Sequence, residues 1–316
     1  MSDPRKAAKT NRGLQPGKGK DMKKRRRRSK FMGAKINPKY FSASQIKFYL
    51  ILIPLAVFMI IPVVYVINQA FKPLGELFAF PPTIFVKNPT VKNFKDLFEL
   101  SGTTGIPMSR YILNSAIVTL ITILLNLFIT ILAAYVFSKK KFRAKKALFE
   151  INQLALMFVP TAVAVPRFLV IVKAGMIDTW WAHVLPLAAM PVGLFLVKQF
   201  TDQIPDALIE AAVMDGANDL TVIRKVIVPL TKPALATSIV LTFQQVWGAV
   251  EASNNFITDD SMRTLAFYLS SLSTNNTVAA AGMQAAASVI LFLPNLIIFI
   301  VMQSQVMNTM SHSGIK

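Results

Sequence analysis

Apolar residues gather into six long runs separated by polar or proline-rich stretches, and that pattern predicts six membrane-crossing helices. The runs lie at about 46–70, 109–138, 147–173, 181–200, 233–252 and 278–301. About twenty apolar residues rising 1.5 Å each cross a hydrocarbon core about 30 Å thick, and each run meets or approaches that length. Pro160 and Pro166 predict a kink in the third run. The first run exceeds the short apolar core of a signal peptide and no small-x-small cleavage site follows it, so it reads as a retained span. Residues 71–108 carry Pro73, Pro81, Pro82, Pro89 and Pro107 with mixed charge, which predicts an ordered external loop with short helical pieces. Residues 1–45 have almost no apolar periodicity and read as a disordered tail.

One polar stretch, Pro205–Pro229, interrupts the apolar runs as a structured loop. Pro205 suits the start of a helix, and Glu210, Ala211 and Ala212 are strong helix formers. Gly216 lets the backbone turn, and a second segment is expected to end at Pro229. Helix, turn, helix is the expected form. Ile204, Leu208, Ala211 and Ala212 share one helical face, while Asp206, Glu210 and Asp215 offer carboxylates to a basic partner.

Composition agrees with a polytopic membrane protein: 53% of residues are hydrophobic and mean hydropathy is +0.49. With no cysteine and only His183 and His312, the chain has neither a disulfide framework nor a metal site. The net charge of +20 is uneven, since residues 1–47 hold 16 Lys/Arg against Asp3 and Asp21. The run Lys23–Lys30 reads as an anchor that keeps the N-terminus cytoplasmic, with lipid headgroups or ribosomal RNA as alternative partners. Lys139–Lys146 places six cations in the link between the second and third runs, so that link faces the cytoplasm. The external segments are neutral, with seven cations against seven carboxylates, and both termini are therefore expected inside. Gly13–Gly19 looks like a phosphate loop but has the wrong glycine spacing, and Gly19 stands where Ser or Thr would hold magnesium.

Glu210-Ala211-Ala212, then Gly216, then Val226-Ile227-Val228-Pro229 resembles the cytoplasmic loop signature of binding-protein-dependent ABC importer permeases. Further stretches extend the resemblance over roughly 91–300: Val91–Phe98, Arg110–Ser115, Leu132–Tyr135, Gly175–Thr179 and Val228–Thr237. They point to the carbohydrate subgroup, in particular the second permease subunit of the maltose type. The resemblance implies an all-α membrane protein with six transmembrane helices, the type I ABC importer permease fold and a cytoplasmic coupling helix. It makes Glu210, Ala211, Ala212, Asp215, Gly216 and Pro229 the residues that couple to an ATPase. It implies as partners a second homologous permease subunit, an ATPase dimer that binds the ATP, an external solute-binding protein, membrane lipid and a sugar. The setting is the cell membrane of a prokaryote. The expected organisation is a basic tail at 1–45, a permease domain at 46–305 with its coupling loop at 201–232, and a C-terminal tail at 306–316. In that tail Met310–Lys316 resembles the subgroup's glycine-and-lysine end, which implies contact with the ATPase pair. Where the family has Trp-Asn late in the fifth span this chain has Trp247-Gly248, so sugar contacts are not carried over at that position.

Polar side chains within the runs, namely Asn114, Asn126, Asn152, Gln153, Gln244, Gln245 and Gln284, must face other helices or water. Gln244, Trp247, Glu251 and Asn254 recur at spacings of three and four along the fifth run, a pattern that suits either a sugar path or interhelical packing. Arg167, after Pro166, calls for a gate partner or for snorkelling to the interface. No nucleophile–base cluster, cofactor motif or catalytic residue is present, so the chain reads as a transporter and not an enzyme. Rival readings are an importer permease for a polyamine, phosphate or amino acid, a secondary transporter or channel, and a membrane-tethered nucleic-acid binder.

Overall fold

The computed structural model describes residues 46–103, 105–272 and 278–313, so the basic tail at 1–45 and the Gly314–Lys316 end lie outside the described residues. Among the described residues all regular secondary structure is helical. The chain divides into two compact units, Met1–Phe58 and Met59–Lys316. In the first unit the described part is the beginning of helix α1 (Ile46–Phe71), whose Phe48, Leu50, Ile51 and Phe58 are all exposed. An uninterrupted apolar surface of this kind suits a lipid environment.

The second unit holds fourteen further helices among its described residues. α2 (Leu74–Leu77) and α3 (Lys92–Thr103) lie in the proline-rich loop. That loop is ordered through its polar groups: Asn68 Oδ1 accepts from the Val86 N–H, and Lys72 Nζ donates to the Thr83 carbonyl. Glu76 accepts from the backbone N–H groups of Lys87 and Asn88, which hold its carboxyl below the usual range, and Asn93 donates to the carbonyls of Ala70 and Lys72.

α4 (Met108–Lys139) runs for 32 residues without Gly or Pro, about 48 Å at the standard rise. Its first turns are fastened to a distant loop. Asn114 Nδ2 donates to the carbonyls of Ser261 and Arg263, both at 2.8 Å, and Ser115 Oγ accepts from the Leu265 N–H at 2.8 Å. The Tyr111 ring stacks on Tyr268 at 4.6 Å.

The third predicted span is broken. α5 (Lys145–Ala155) and α6 (Ala164–Lys173) are separated by turns at 156–163, and neither is long enough alone to cross a bilayer. Pro160 sits inside the break, where its missing N–H is tolerated, so the expected kink is a full interruption. α7 (Trp180–Ala188) and α8 (Pro191–Asp202) meet at a 42° bend. The bend frees the Ala188 carbonyl, and buried Asn126 of α4 donates to it at 2.8 Å. Ser238 and Thr242 in turn donate to Asn126 Oδ1, both at 3.3 Å, so the polar knot is closed.

α9 (Asp206–Met214) and α10 (Asp219–Val222) begin the polar loop, followed by a π-helical turn at Ile223–Ile227 and the short α11 (Val228–Leu230). α12 (Lys232–Trp247) and α13 (Glu251–Asn255) follow an 82° bend. α14 (Leu265–Leu272) is a short buried helix that the hydrophobic pattern does not distinguish from loop. α15 (Val278–Ser313) is longer than the predicted sixth span.

Among the described residues three helices are long and apolar enough to cross a membrane, Ile46–Phe71, Met108–Lys139 and Ala281–Ser304, and counting each bent pair as one crossing raises the number to five. Within the second unit α12 lies at the centre, packed on α15, α4 and α8, while α4 also contacts α7.

Candidate functional site

The polar loop is built by one stop signal and one start signal placed back to back. After Asp215, Gly216 takes φ +82°, a left-handed conformation that glycine enters without strain. The Gly216 N–H bonds to the Val213 carbonyl and the Ala217 N–H to the Ala212 carbonyl, both at 2.9 Å, the pairing of a Schellman stop. Asn218 then caps α10, its Oδ1 accepting from the Thr221 N–H at 2.8 Å. Reasoning from sequence placed the turn at Gly216 and missed the cap at Asn218, although an asparagine two residues beyond a turn glycine is a readable start signal.

Pro229 does not end the second segment. It lies in α11 directly after the π-helical turn, and the wider turn absorbs both its missing N–H and its ring. The chain stays helical to Leu230 and bends only at Thr231, whose hydroxyl donates to the Ile227 carbonyl at 2.8 Å.

The inward face of the loop comprises Ile204, Val222, Ile223 and Ile227, with Ile209 and Ala212 packed against them and Tyr135 of α4 in the same cluster. Leu208 and Ala211 do not share that face. Both are exposed, because the stripe through Ile209 and Ala212 turns them outward. Glu210, Asp215 and Gly216 are exposed as well, next to Val213, Leu220 and an 83% exposed Met214. The outer surface therefore carries large apolar groups beside two carboxylates.

The end of α4 grips this loop at two points. Lys139 Nζ lies 2.7 Å from Asp206 Oδ1 and donates to the Ile204 carbonyl, and Lys140 Nζ lies 2.7 Å from Asp219 Oδ1. Tyr135 donates to the same Asp219 oxygen at 2.9 Å. The Lys139 hydrogen bond holds the Asp206 carboxyl below the usual range, and the bond to Asp219 raises Lys140. Cations that the sequence marks as determinants of topology thus also clamp the first residue of α9 and the first residue of α10.

The four residues expected along the fifth run do not form one stripe. Non-helical backbone at 248–250 separates α12 from α13 and resets the helical phase. Gln244 is exposed, whereas Trp247 is 8% exposed, stacked on Phe243 at 5.5 Å and packed in the cluster with Tyr111 and Tyr268. Glu251 pairs with Arg167 across α13 and α6, with Arg167 Nη1 2.6 Å from its Oε2, and Asn254 is exposed and bonded to Asn255. On the same side Asp178, itself at φ 55°, accepts from Thr258 Oγ1 at 2.6 Å and from the Thr258 N–H at 2.5 Å, which holds its carboxyl below the usual range. Among the described residues no group of His, Cys, Asp or Glu has the geometry of a metal site.

A family model described as binding-protein-dependent transport system inner membrane component matches residues 127–306. The chain is 28% identical to the inner membrane ABC transporter permease protein YcjP of Escherichia coli (strain K12), covering 86% of this chain and 97% of that protein. It is 26% identical to the galactooligosaccharides transport system permease protein GanQ of Bacillus subtilis (strain 168), over 85% and 94% of the two chains. It is 25% identical to the trehalose transport system permease protein SugB of Mycobacterium tuberculosis (strain CDC 1551 / Oshkosh), over 82% and 93%. A chain from the crystal structure of a bacterial ABC transporter involved in the import of the acidic polysaccharide alginate has the same fold, with a TM-score of 0.71 at 21% identity, over 85% of this chain and 99% of that one.

Proposed function

The chain belongs to the family of binding-protein-dependent transport system inner membrane components, and from that membership we propose that it is the permease subunit of an ATP-driven importer of a sugar or oligosaccharide. The family is one of transporters and not of enzymes. Sugar cargo is supported by relatives whose names give galactooligosaccharides and trehalose as what they transport. The permease domain is 46–305, flanked by cytoplasmic tails at 1–45 and 306–316. Six crossings are made by α1, α4, α5 with α6, α7 with α8, α12 with α13, and α15. The six cations of Lys139–Lys146 and those of the 201–232 loop put that face in the cytoplasm.

The observation that carries this reading is α9, a helix that buries one face on its own chain and presents Leu208, Ala211, Val213 and Met214 together with Glu210 outward. This is the coupling helix, seated in a cytoplasmic ATPase that binds the ATP. Glu210 meets a basic residue there, and the apolar groups fill the groove. An exposed ion pair contributes only about 0–1 kcal/mol, so apolar packing and the Gly216 turn dominate the seat. Lys139 and Lys140 pass any movement of α9 and α10 to α4, and the chain from α10 through the bend at Thr231 into α12 passes it to the centre of the unit. Two conformations biased in this way produce alternating access. A second, homologous permease subunit and an external solute-binding protein complete the assembly.

Affinity purification of the tagged chain in mild detergent, with mass spectrometry of what co-elutes, tests the reading. A second permease, an ATPase and a solute-binding protein are expected. Elution without any ATPase, under conditions that keep known importers whole, would overturn it.

A further inference from the structure

Uncharged polar side chains collect on one stripe of α15. Gln284 and Ser288 are exposed, one helical turn apart, inside the segment Ala281–Ser304 that is apolar enough to cross a membrane. Polar groups at that depth are costly against lipid and belong against protein or water. A cavity of about 290 Å³ that is apolar apart from Ser288 borders this stripe, and two others take in both side chains. One, about 200 Å³, is lined by Gly248, Val250, Ser270, Gln284 and Ser288, together with apolar residues of α14 and α15. The other, about 350 Å³, sets Tyr65, Gln69 and Phe78 across from the same Gln284 and Ser288.

Three features bear on the chemistry these cavities accept. The break at 248–250 leaves non-helical backbone within the fifth crossing, which is tolerated only where protein buries it or a water-filled cavity borders it. At Gly248 a Cβ would meet nothing nearer than the Gln244 carbonyl at 3.7 Å, so the first cavity has room where other residues would project a side chain. Aliphatic groups make up much of both walls; set among them are the Gln284 amide and the Ser288 hydroxyl in both spaces, Ser270 in the first, and Gln69 with the Tyr65 and Phe78 rings in the second, and among the described residues no Lys, Arg, Asp, Glu or His lines either. Hydroxyl-rich, uncharged ligands match such a wall, since each hydroxyl both donates and accepts while ring C–H faces pack on Tyr65 and Phe78. An anionic chain of uronic acids would find no cation there.

We propose that Gln284 and Ser288, with Ser270 and the backbone at Gly248, form a cargo-contact wall that admits neutral carbohydrate and disfavours acidic carbohydrate. This rests on the permease reading above. The wall lies at the far end of α12 from the coupling loop, 16 residues or about 24 Å away, which makes it an entry-side subsite. It also differs from the Gln244, Trp247, Glu251 and Asn254 set, of which Trp247 is in the core and Glu251 is held by Arg167.

The chain has no cysteine, so single-cysteine variants report without background. Gln284→Cys, Ser288→Cys and the control Leu293→Cys, an exposed apolar position on the same helix, are reconstituted in nanodiscs with the ATPase and permease partners that co-purify. Each is treated with a membrane-impermeant thiosulfonate, alone and with trehalose or oligogalacturonate as the neutral and anionic probes. Labelling at 284 and 288 is expected to be about tenfold faster than at 293, because water reaches the first two and lipid covers the third. Trehalose slows it and oligogalacturonate does not. Labelling at 284 and 288 as slow as at 293 overturns the wall, and labelling that oligogalacturonate slows as well as trehalose, or that neither slows, overturns its selectivity. Co-purification of the ATPase is scored first on the unaltered chain, so failure of the permease reading is seen separately.

Discussion

Gly216 illustrates how much one torsion angle decides. Nothing lies within 4 Å of where its Cβ would be, so a substituent meets no clash and the penalty is the left-handed backbone alone. That penalty is about 1–2 kcal/mol for an ordinary residue and smaller for asparagine. We expect Gly216→Val to shift the direction of α9 and cut ATPase-coupled uptake severely, Gly216→Asn to retain most of it, and Glu210→Gln to fall between wild type and Gly216→Val. Uptake and ATPase co-purification measured on the three variants check this ordering, and equal damage from Asn and Val would show that the side chain matters rather than φ. At this scale the sequence was informative wherever a residue has one dominant use. Gly216 at a turn is such a residue. It was silent where a polar residue serves a distant backbone: Asn126 completes the Ala188 carbonyl 62 positions away, and no local pattern encodes that partner.

Two charge-dependent contacts join α6 to α13 and the turn at Asp178 to Thr258, and each gives a separate expectation. Asp178 has its carboxyl depressed, chiefly by the Thr258 hydroxyl and then by the Thr258 N–H. A depressed carboxyl contributes its hold above the unfolded-state value and loses it as pH falls through the lower folded value. Protection of the 256–260 amides, relative to their intrinsic exchange rate at each pH, should therefore stay constant from neutral pH down to the usual carboxylate range and fall only below it. Asp178→Asn, which tolerates the positive φ, should lower protection already at neutral pH and remove its pH dependence. The second contact is Arg167 with Glu251, half-buried between α6 and α13. Arg167→Glu and Glu251→Arg alone should each lower the thermal midpoint of the assembled importer, and the exchanged pair should recover most of the loss. Coupling of about 1 kcal/mol is expected for a pair at this exposure, and a cycle that sums to zero would remove the link. Element boundaries were the least legible level. Apolar continuity predicted one helix across 147–173, yet Pro160 divides it, and α14 is too short for periodicity to separate it from a loop.

Over the whole molecule, the class and fold were legible because a bilayer allows few solutions to a chain with such long apolar runs. The family's loop signature marked the loop on which the proposed coupling rests. The cargo wall was not legible, since Gly248, Ser270 and Gln284 come from three segments and none is distinctive alone. One further property follows from α4. Its first turns are tied to the loop at Ser261–Leu265 and its last residues to Asp206 and Asp219, with no glycine or proline between. In the coupling proposed above it would work as a pushrod: a stroke delivered at the Asp206 and Asp219 end would reach the Ser261–Leu265 end at full amplitude, with no joint in which to lose travel. Stiffness along this rod, and not the chemistry at either end, then sets the transmission. Replacing the lipid-exposed Leu120-Ile121 by Gly-Gly should leave ATPase binding and the outer loop intact while ATP hydrolysis continues without uptake. The ratio of sugar moved to ATP consumed, measured in proteoliposomes, reads that slippage directly.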